Sequence, residues 1–305
     1  MALFLSSGDL LADRRYDLAR GYAADGDLAA AADLYLQATE LAPGFASAWF
    51  ALGEAREALG DRDGARAAFE KARDADPEDR HGAALALARL GGADPASAAL
   101  HTYVRTLFDQ YAPRFDRALE DLSYRAPALL RDAIAVARGA EMRFAAMLDI
   151  GCGTGLAGAA FRPHVDWLVG VDLSPKMIEL ARAKQLYDRL AVDEIERFLA
   201  IEAADDTRFD LVIAADVFAY VADLPAACDA VAGVLDPGGL FGFTVETHAG
   251  EGAIVGAKMR YQHGATFVRA AIGDAGLALV QLTPASSRTE NRSPVPGLLA
   301  VARKR

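Results

Sequence analysis

The sequence predicts an all-α helical-repeat module followed by a doubly wound α/β domain. Two observations carry this prediction. The first ninety residues are rich in Ala and Leu at helical spacing and repeat at an interval of thirty-four. Further along, an apolar strand runs into a glycine-rich turn and a helix, LDIGCGTGL (residues 148–156), as in the first βα unit of a nucleotide-binding sheet.

The repeat module is predicted to span residues 1–92, with two full copies and part of a third. Both copies resemble the tetratricopeptide pattern, with Gly-Asp at the turn between helices, although Arg15 stands where the first copy should carry Trp. The matching residues are Leu18, Ala19, Gly26, Ala31, Tyr35, Ala38 and Pro43, then Trp49, Leu52, Gly53, Gly60, Ala65, Phe69, Ala72 and Pro77. The third copy is reduced to the helix 82–90.

The repeats allow two interpretations, because each helical hairpin leaves an apolar face uncovered. They either recruit a protein partner through a groove, or stabilise the chain or its self-association. The sequence 91–95, Gly-Gly-Ala-Asp-Pro, marks the boundary, with Asp94 as cap and Pro95 as the start of a helix. A helical connector over residues 93–140 and a cofactor-binding domain over residues 141–305 are expected to follow.

Composition excludes several classes of protein. The 305 residues are 53% hydrophobic and carry a net charge of −11. Nucleic acid is therefore an unfavourable partner, since Lys and Arg supply the affinity for phosphate. No apolar stretch is long enough to span a membrane, and a cytoplasmic protein is expected. Cys152 and Cys228 have neither metal-site nor disulfide spacing, so no metal is implied.

The glycine turn indicates a nucleotide cofactor. Gly151, Gly153 and Gly155 permit backbone angles closed to other residues and let a ligand lie against bare peptide at a helix start. A dinucleotide fingerprint requires a third glycine where Leu156 stands, which argues against NAD. Asp172 then ends the next apolar run before Ser-Pro, where a carboxylate accepts hydrogen bonds from both ribose hydroxyls.

These two motifs resemble those of the class I S-adenosylmethionine-dependent methyltransferases. The resemblance implies a seven-stranded, mostly parallel sheet with S-adenosylmethionine as cofactor and S-adenosylhomocysteine as product. It extends to a third strand at residues 189–192, a fourth strand and loop at 209–221, and a Pro-Gly-Gly turn and fifth strand at 235–246. The last two strands are expected at 277–282 and 297–303. The whole arrangement is similar to predicted bacterial methyltransferases with N-terminal tetratricopeptide repeats.

The same resemblance implies a set of cofactor contacts. Asp193 matches the acidic residue that binds the adenine amino group, and Tyr111 of the connector matches a Tyr that folds over the cofactor; Tyr111 also fits the core stripe of a helix with Phe108 and Phe115. The full predicted set is Asp149, Gly151, Cys152, Gly153, Gly155, Asp172, Leu173, Met177, Asp193, Glu194, Asp216 and Tyr111. Cys152 is interpreted as a small residue of a tight turn, with no catalytic role.

The acceptor is expected at the open end of the site, near residues 260–263 and a helix at 266–275. His263 is the candidate base because it lies in a polar segment between predicted elements and its reference pKa lies near neutrality; a loop His with a structural hydrogen bond is the more common alternative. Tyr220, Tyr261 and His248 are candidate substrate contacts. Asp216 and Tyr220 also fit simple packing of the cofactor loop.

The predicted function is transfer of a methyl group to a small-molecule acceptor. Two alternatives stay open at this stage. One is a protein methyltransferase whose repeats bind the polypeptide substrate. The other is a non-catalytic chain that binds cofactor or partner as a regulatory or assembly module.

Overall fold

The chain forms two compact units. The structure is a computed structural model that describes residues 3–93, 97–139 and 142–305. Residues 1–107 with 257–259 form the first unit, and residues 108–256 with 260–305 form the second. The three-part division predicted from the sequence, with boundaries after residues 92 and 140, stays a prediction.

The first unit is a succession of antiparallel helices, of which the last continues into the second unit. Gly26 and Gly60 turn the chain with φ of +86° and +85°. Asp27 and Asp61, which follow them, cap the next helices by accepting backbone N–H groups. The helices are α1 (Leu10–Ala24), α2 (Leu28–Leu41), α3 (Ala46–Ala58), α4 (Arg62–Ala75), α5 (Ala83–Arg89) and α6 (Ser97–Tyr111).

Aromatic rings fill the spaces between the small residues of these helices. Tyr16 packs against Tyr35 and Phe45, with ring centroids 5.4 and 5.3 Å apart, and all three side chains are buried. The partial third copy is present as α5. The predicted helix start at Asp94 and Pro95 lies outside the described residues, and α6 is described from Ser97 onward.

The second unit is built on a seven-stranded sheet, which confirms the predicted fold class. The strands are β1 (Phe144–Ile150), β2 (Val165–Asp172), β3 (Arg189–Val192), β4 (Phe209–Ala214), β5 (Leu235–Glu246), β8 (Leu277–Pro284) and β11 (Gly297–Lys304). Their order in the sheet is β3-β2-β1-β4-β5-β11-β8; the first five strands of this order are parallel, and β11 is antiparallel to both of its neighbours.

Helices cover both faces of the sheet, so the central strands read as continuous apolar runs. One face packs against residues such as Phe198, Cys228 and Ile272, and the other against Leu130 and Ile134. The helices of this unit are α7 (Phe115–Asp121), α8 (Ala126–Arg138), α9 (Leu156–Phe161), α10 (Pro175–Ala183), α11 (Ile195–Ala204), α12 (Leu224–Val234) and α13 (Ala265–Asp274).

Two short hairpins differ from the sequence-based expectation. The segment 260–263, expected as an open polar segment, contributes β7 (Tyr261–His263), which pairs with β6 (Ala253–Val255). The second hairpin pairs β9 (Thr289–Glu290) with β10 (Ser293–Pro294) between β8 and β11. Their two- and three-residue strands are too short to show a period in the sequence.

Within the described ranges, no helix combines the length and the apolar character that a membrane crossing requires.

Candidate functional site

The glycine turn after β1 has the backbone conformation that its sequence predicts. Gly151 and Gly153 have φ of +63° and +55°, in the left-handed region that favours glycine. A Cβ on Gly151 would lie 2.6 Å from Cγ2 of Val217, whereas a Cβ on Gly153 would meet nothing closer than Phe115 at 3.6 Å. Gly151 therefore allows close packing against the loop after β4, whereas a Cβ at Gly153 would make only an ordinary van der Waals contact with Phe115.

Asp172 lies at the tip of β2, directly beside this turn. Its Oδ2 accepts the backbone N–H of Gly153 at 2.8 Å, and its Oδ1 accepts the N–H of Ser174 at 2.8 Å. Burial raises the pKa of Asp172 to about 6, against the lowering effect of these two amide donors. The carboxylate is thus fixed in place and costly to ionise.

Asp149, near the end of β1, is a second carboxylate at this edge of the sheet and is 1% exposed, whereas Asp172 is half-buried. Its Oδ2 accepts the phenol O–H of Tyr187 at 2.7 Å, while its Oδ1 has no hydrogen-bond partner among the described residues. Burial raises the pKa of Asp149 to about 7; the Tyr187 hydrogen bond opposes this shift, and the nearby Asp172 adds to it. Ionisation of either carboxylate at the strand tips is therefore costly.

Tyr187 is a site residue that sequence analysis did not identify. Its ring fills the space beside three glycines, since a Cβ on Gly155, Gly158 or Gly170 would lie within 3.0 Å of it. The GCGTGLAG sequence shows only that small residues are needed, not which side chain fills the space. The glycine at 158 was the available signal.

Two carboxylates of the connector bind the cofactor motifs, and sequence analysis missed both. Asp109 accepts the hydroxyl of Ser174, the cap of α10, at 2.6 Å. Asp116 accepts a short hydrogen bond from the hydroxyl of Thr154 in the glycine turn and an ion pair from Lys184 at 2.7 Å. The connector is thereby held against both motifs through side-chain contacts.

The roles of the other residues predicted to contact the cofactor near the glycine turn stay predictions. Tyr111 packs edge-to-face on Phe115, with ring centroids 6.0 Å apart, and carries the Arg114 guanidinium over its ring at 4.9 Å. Cys152 is buried, and burial raises the pKa of its thiol well above the ordinary value. Met177 is fully buried in α10. Leu173 is half-buried between Asp172 and the cap of α10.

Asp193 directly follows β3, as predicted. One of its carboxylate oxygens accepts the backbone N–H of Glu194 at 2.8 Å and an ion pair from Arg197 at 2.8 Å. Arg197 is largely exposed, so this pair is open to solvent and weak. Glu194 precedes α11 as its cap residue. The proposed adenine contact of Asp193 stays a prediction.

Asp216 follows β4 and has a φ of +60°. Its Oδ1 accepts the hydroxyl of Thr244 at 2.8 Å, and its Oδ2 accepts the Ser287 hydroxyl and the Arg288 guanidinium, each at 2.7 Å. These bonds hold the loop after β4 to β5 and to the segment after β8. The predicted cofactor contact of Asp216 would have to use the lone pairs of its carboxylate that these hydrogen bonds leave free.

Asp216 belongs to a larger group of charged side chains, which we call the charge cluster: Asp216, Glu246, Arg260, Arg288 and Glu290. Arg288 is 7% exposed in its side chain and binds all three acids, and Arg260 lies 2.7 Å from Glu290. Sequence analysis missed Arg288 because its partners lie up to 72 residues away along the chain. Buried pairs of this kind are costly to break.

Tyr220 lies beside this cluster. Its ring packs edge-to-face on Phe108 with a centroid distance of 5.0 Å. Burial raises the pKa of Tyr220, whereas the Arg260 and Arg288 guanidinium groups lower it. Tyr220 thus reaches both the connector and the charge cluster, and its substrate contact stays a prediction.

His263 lies in a strand and not in the loop expected from the sequence. It lies in β7 with 0% exposure, its Nε2 is 3.0 Å from the carbonyl oxygen of Phe218, and its ring is stacked on Phe267. Nε2 therefore carries the proton and donates to that carbonyl. Burial lowers the pKa of His263, although the Phe218 carbonyl raises it. This geometry favours the structural alternative over the predicted base.

The other two candidate substrate contacts are also engaged within the fold. His248 accepts the N–H of Gly250 at Nδ1 (3.1 Å) and lies 3.2 Å from the Gly252 carbonyl oxygen through Nε2, which closes the loop after β5. Tyr261 is 2% exposed in β7. The structure therefore brings together the strand-tip carboxylates and the glycine turn more clearly than it does an acceptor site.

Comparison with known proteins agrees with this geometry. Residues 148–241 match the model of a methyltransferase domain, and residues 22–90 match that of the tetratricopeptide repeat. Methyltransferase-like protein 27 of Homo sapiens is 35% identical over 145 residues, which cover 47% of this chain and 57% of that protein. A ubiquinone biosynthesis O-methyltransferase of Bradyrhizobium sp. (strain ORS 278) is 40% identical over 95 residues, 31% of this chain and 37% of that protein.

The chain thus spans little more than half of the first relative and about a third of the second. Among solved structures, magnesium protoporphyrin IX methyltransferase from Synechocystis PCC 6803 with bound SAH superposes with a TM-score of 0.54 at 18% identity, covering 68% of this chain and 100% of that one. This likeness shows the fold.

Sheet order and glycine turn together define the class I methyltransferase fold. More particularly, a region that matches the tetratricopeptide repeat, residues 22–90, precedes a region that matches a methyltransferase domain, residues 148–241.

Proposed function

We propose that the chain is an S-adenosylmethionine-dependent methyltransferase that acts on a small-molecule acceptor and releases S-adenosylhomocysteine. One observation carries the proposal: Asp172 is held at the tip of β2 by the N–H groups of Gly153 and Ser174. Each carboxylate oxygen has two lone pairs and uses one for these bonds. The other two are available for a pair of ribose hydroxyls.

The charge of the site supports a cationic cofactor. Burial raises the pKa of Asp149 and of Asp172, and no guanidinium or ammonium group bonds to either carboxylate within the described residues. The sulfonium and ammonium groups of S-adenosylmethionine would compensate this charge. A dinucleotide is disfavoured by Leu156, which stands where its fingerprint requires a third glycine.

The residues present fit the cofactor in one further respect. Oδ1 of Asp149 is a buried acceptor without a hydrogen-bond partner among the described residues. Asp149, Gly151, Gly153, Asp172 and, at the adenine end, Asp193 would hold the cofactor. When bound, the cofactor supplies an electrophilic methyl group on a positively charged sulfur.

The contribution of the protein to the reaction is then mainly positioning. The glycine turn and Asp172 orient the cofactor, and the connector, held by Asp109 and Asp116, limits access of water to it. Since His263 is buried and donates to a carbonyl, proton removal by this residue is not required in the proposal. An acceptor whose nucleophile ionises easily fits this site best.

A small-molecule acceptor is supported by the relatives named as O-methyltransferases of ubiquinone biosynthesis. The repeats favour the second candidate, a polypeptide acceptor bound by residues 22–90. A non-catalytic chain that binds the cofactor is the third. These candidates differ in which pool of acceptors becomes labelled.

The test is a methyl-transfer assay with radiolabelled S-adenosylmethionine. Heat-treated small-molecule extract and desalted protein extract are supplied separately, with Asp172→Ala as the matched inactive variant. We expect label in the small-molecule pool that depends on Asp172. Label only in protein would favour the second candidate. No transfer to either pool by a chain that binds cofactor would contradict the proposed activity.

A further inference from the structure

Three residues at equivalent positions of successive repeats form a continuous row, which we call the polar row: Asp13, Ser47 and His81. They are thirty-four residues apart, the interval of the repeats. Asp13 lies in the first turn of α1, Ser47 in the first turn of α3, and His81 just before α5. The row therefore follows the direction in which the repeats stack.

The polar row binds a segment of the same chain, Leu3–Ser7, which precedes α1 and which we call the leading segment. Asp13 accepts the Ser7 backbone N–H at 2.9 Å and the hydroxyls of Ser6 and Ser7 at 2.6 and 2.7 Å. Ser47 accepts the backbone N–H of Leu5 at 2.9 Å. The leading segment thus runs along the polar row, with Ser6 and Ser7 bound by Asp13 and Leu5 bound by Ser47.

The Ser47 hydroxyl also contacts the side chain of His81, the next member of the polar row. The Oγ of Ser47 lies 3.0 Å from Nε2 of His81, whose Nδ1 faces Asp76 at 3.6 Å, and Asp76 is fixed by Arg80. Burial lowers the pKa of His81, while Asp76 and the backbone of Leu3 raise it. The Ser47 hydroxyl also donates to the Leu5 carbonyl oxygen at 3.2 Å, so it binds both backbone polar groups of Leu5.

The leading segment is held by hydrogen bonds more than by burial. None of residues 3–8 is buried, and Phe4 is 41% exposed although its ring contacts Tyr16 and Phe45 at centroid distances of 5.3 and 6.1 Å. Backbone bonds plus a half-covered aromatic ring are what a groove gives to a bound extended peptide. A core segment would bury its apolar side chains instead.

We propose that the polar row is a binding site for an extended polypeptide, and that the leading segment is its tethered, displaceable occupant. The partner it fits has an aromatic and an apolar residue followed by two hydroxyl side chains, the chemistry of residues 4–7 themselves. A tethered occupant acts at an effective concentration in the range of about 1 mM, so a partner binds weakly until that segment is released. This inference does not depend on methyl transfer.

The test uses Leu5→Pro, which removes the N–H that donates to Ser47 without altering the repeats. Leu5→Ala keeps that N–H and is the matched control. The probe is a fluorescent peptide, Leu-Phe-Leu-Ser-Ser-Gly, measured by anisotropy against the full chain. We expect the peptide to bind Leu5→Pro at least about 10-fold more tightly than it binds Leu5→Ala or the unaltered chain. Ser47→Ala added to Leu5→Pro should abolish this gain.

Equal affinity for Leu5→Pro and Leu5→Ala, with both folded by circular dichroism, would overturn the proposal. Hydrogen exchange gives an independent measurement on Ser47→Ala alone. We expect faster exchange in the peptide that contains Leu5, with unchanged exchange in α2 and α4. Equal protection of the leading segment in Ser47→Ala and the unaltered chain would also overturn it.

Discussion

Replacement of Tyr187 by Phe should destabilise the chain in a pH-dependent way. The substitution removes the phenol O–H that donates to Asp149 at 2.7 Å but keeps the ring that packs beside Gly155, Gly158 and Gly170. Packing is therefore retained, and the lost hydrogen bond is the main change. Asp149 is 1% exposed and has no second partner for its other oxygen among the described residues.

The loss of stability caused by Tyr187→Phe depends on whether Asp149 is ionised. The pKa of Asp149 is raised from 3.8 to about 7 in the folded chain. Ionising it therefore costs stability, and stability falls as pH rises from the unfolded pKa through the folded one. At about pH 8, Tyr187→Phe loses a bond to a buried carboxylate, about 1.5–3 kcal/mol; at about pH 5.5 it loses a neutral bond, about 0.5–1.5 kcal/mol.

The assay is urea unfolding at both pH values, followed by the fluorescence of Trp49 and Trp167. Tyr22→Phe is the matched control, since Tyr22 is 41% exposed and should change stability by less than about 0.5 kcal/mol. A loss of free energy of unfolding that is the same at both pH values, or larger at the lower one, would refute the reasoning about Asp149.

Three further predictions concern the cofactor site and the candidate base. Asp172→Asn should weaken S-adenosylmethionine binding by about 10- to 100-fold in calorimetry, because the N–H₂ group of the Asn amide must face a backbone N–H donor. The affinity of the unaltered chain should decrease as the pH is lowered below about 6, where Asp172 becomes protonated, and the affinity of the variant should not. Gly151→Ala should lower stability by about 1–3 kcal/mol in thermal melts, and Val217→Ala should recover only the steric part, since φ stays positive. His263→Gln, which can still donate to the Phe218 carbonyl, should retain turnover within about 10-fold, whereas loss of about 100-fold or more would restore the predicted base.

The sequence was sufficient for the elements whose signals are local. The glycine turn and the acidic strand tip predicted β1 and β2, and the third strand lies at residues 189–192 as predicted. The last two strands extend slightly further than predicted, to Pro284 and Lys304. Local spacing sets these elements because backbone conformation and alternation of burial depend on neighbouring residues.

Contacts between distant segments could not be predicted in the same way. Tyr187 reaches Asp149 over 38 residues, and Arg288 reaches Asp216 over 72. No periodicity connects such pairs, so the sequence showed the glycines that make room for Tyr187 but not the ring itself. The sequence predicts a loop at His263 because a three-residue strand leaves no pattern; the residue is buried by the pairing of β7 with β6 and by its contacts with Phe218 and Phe267.

The most direct measurement of the central claim is calorimetric titration of the purified chain with S-adenosylmethionine, S-adenosylhomocysteine and NADH. The Asp172 carboxylate, held where it can bind a ribose, and Leu156, which stands where a dinucleotide fingerprint requires glycine, predict saturable binding of the first two and none of NADH. Binding of NADH, or no binding of S-adenosylmethionine to folded chain free of copurified ligand, would contradict the account.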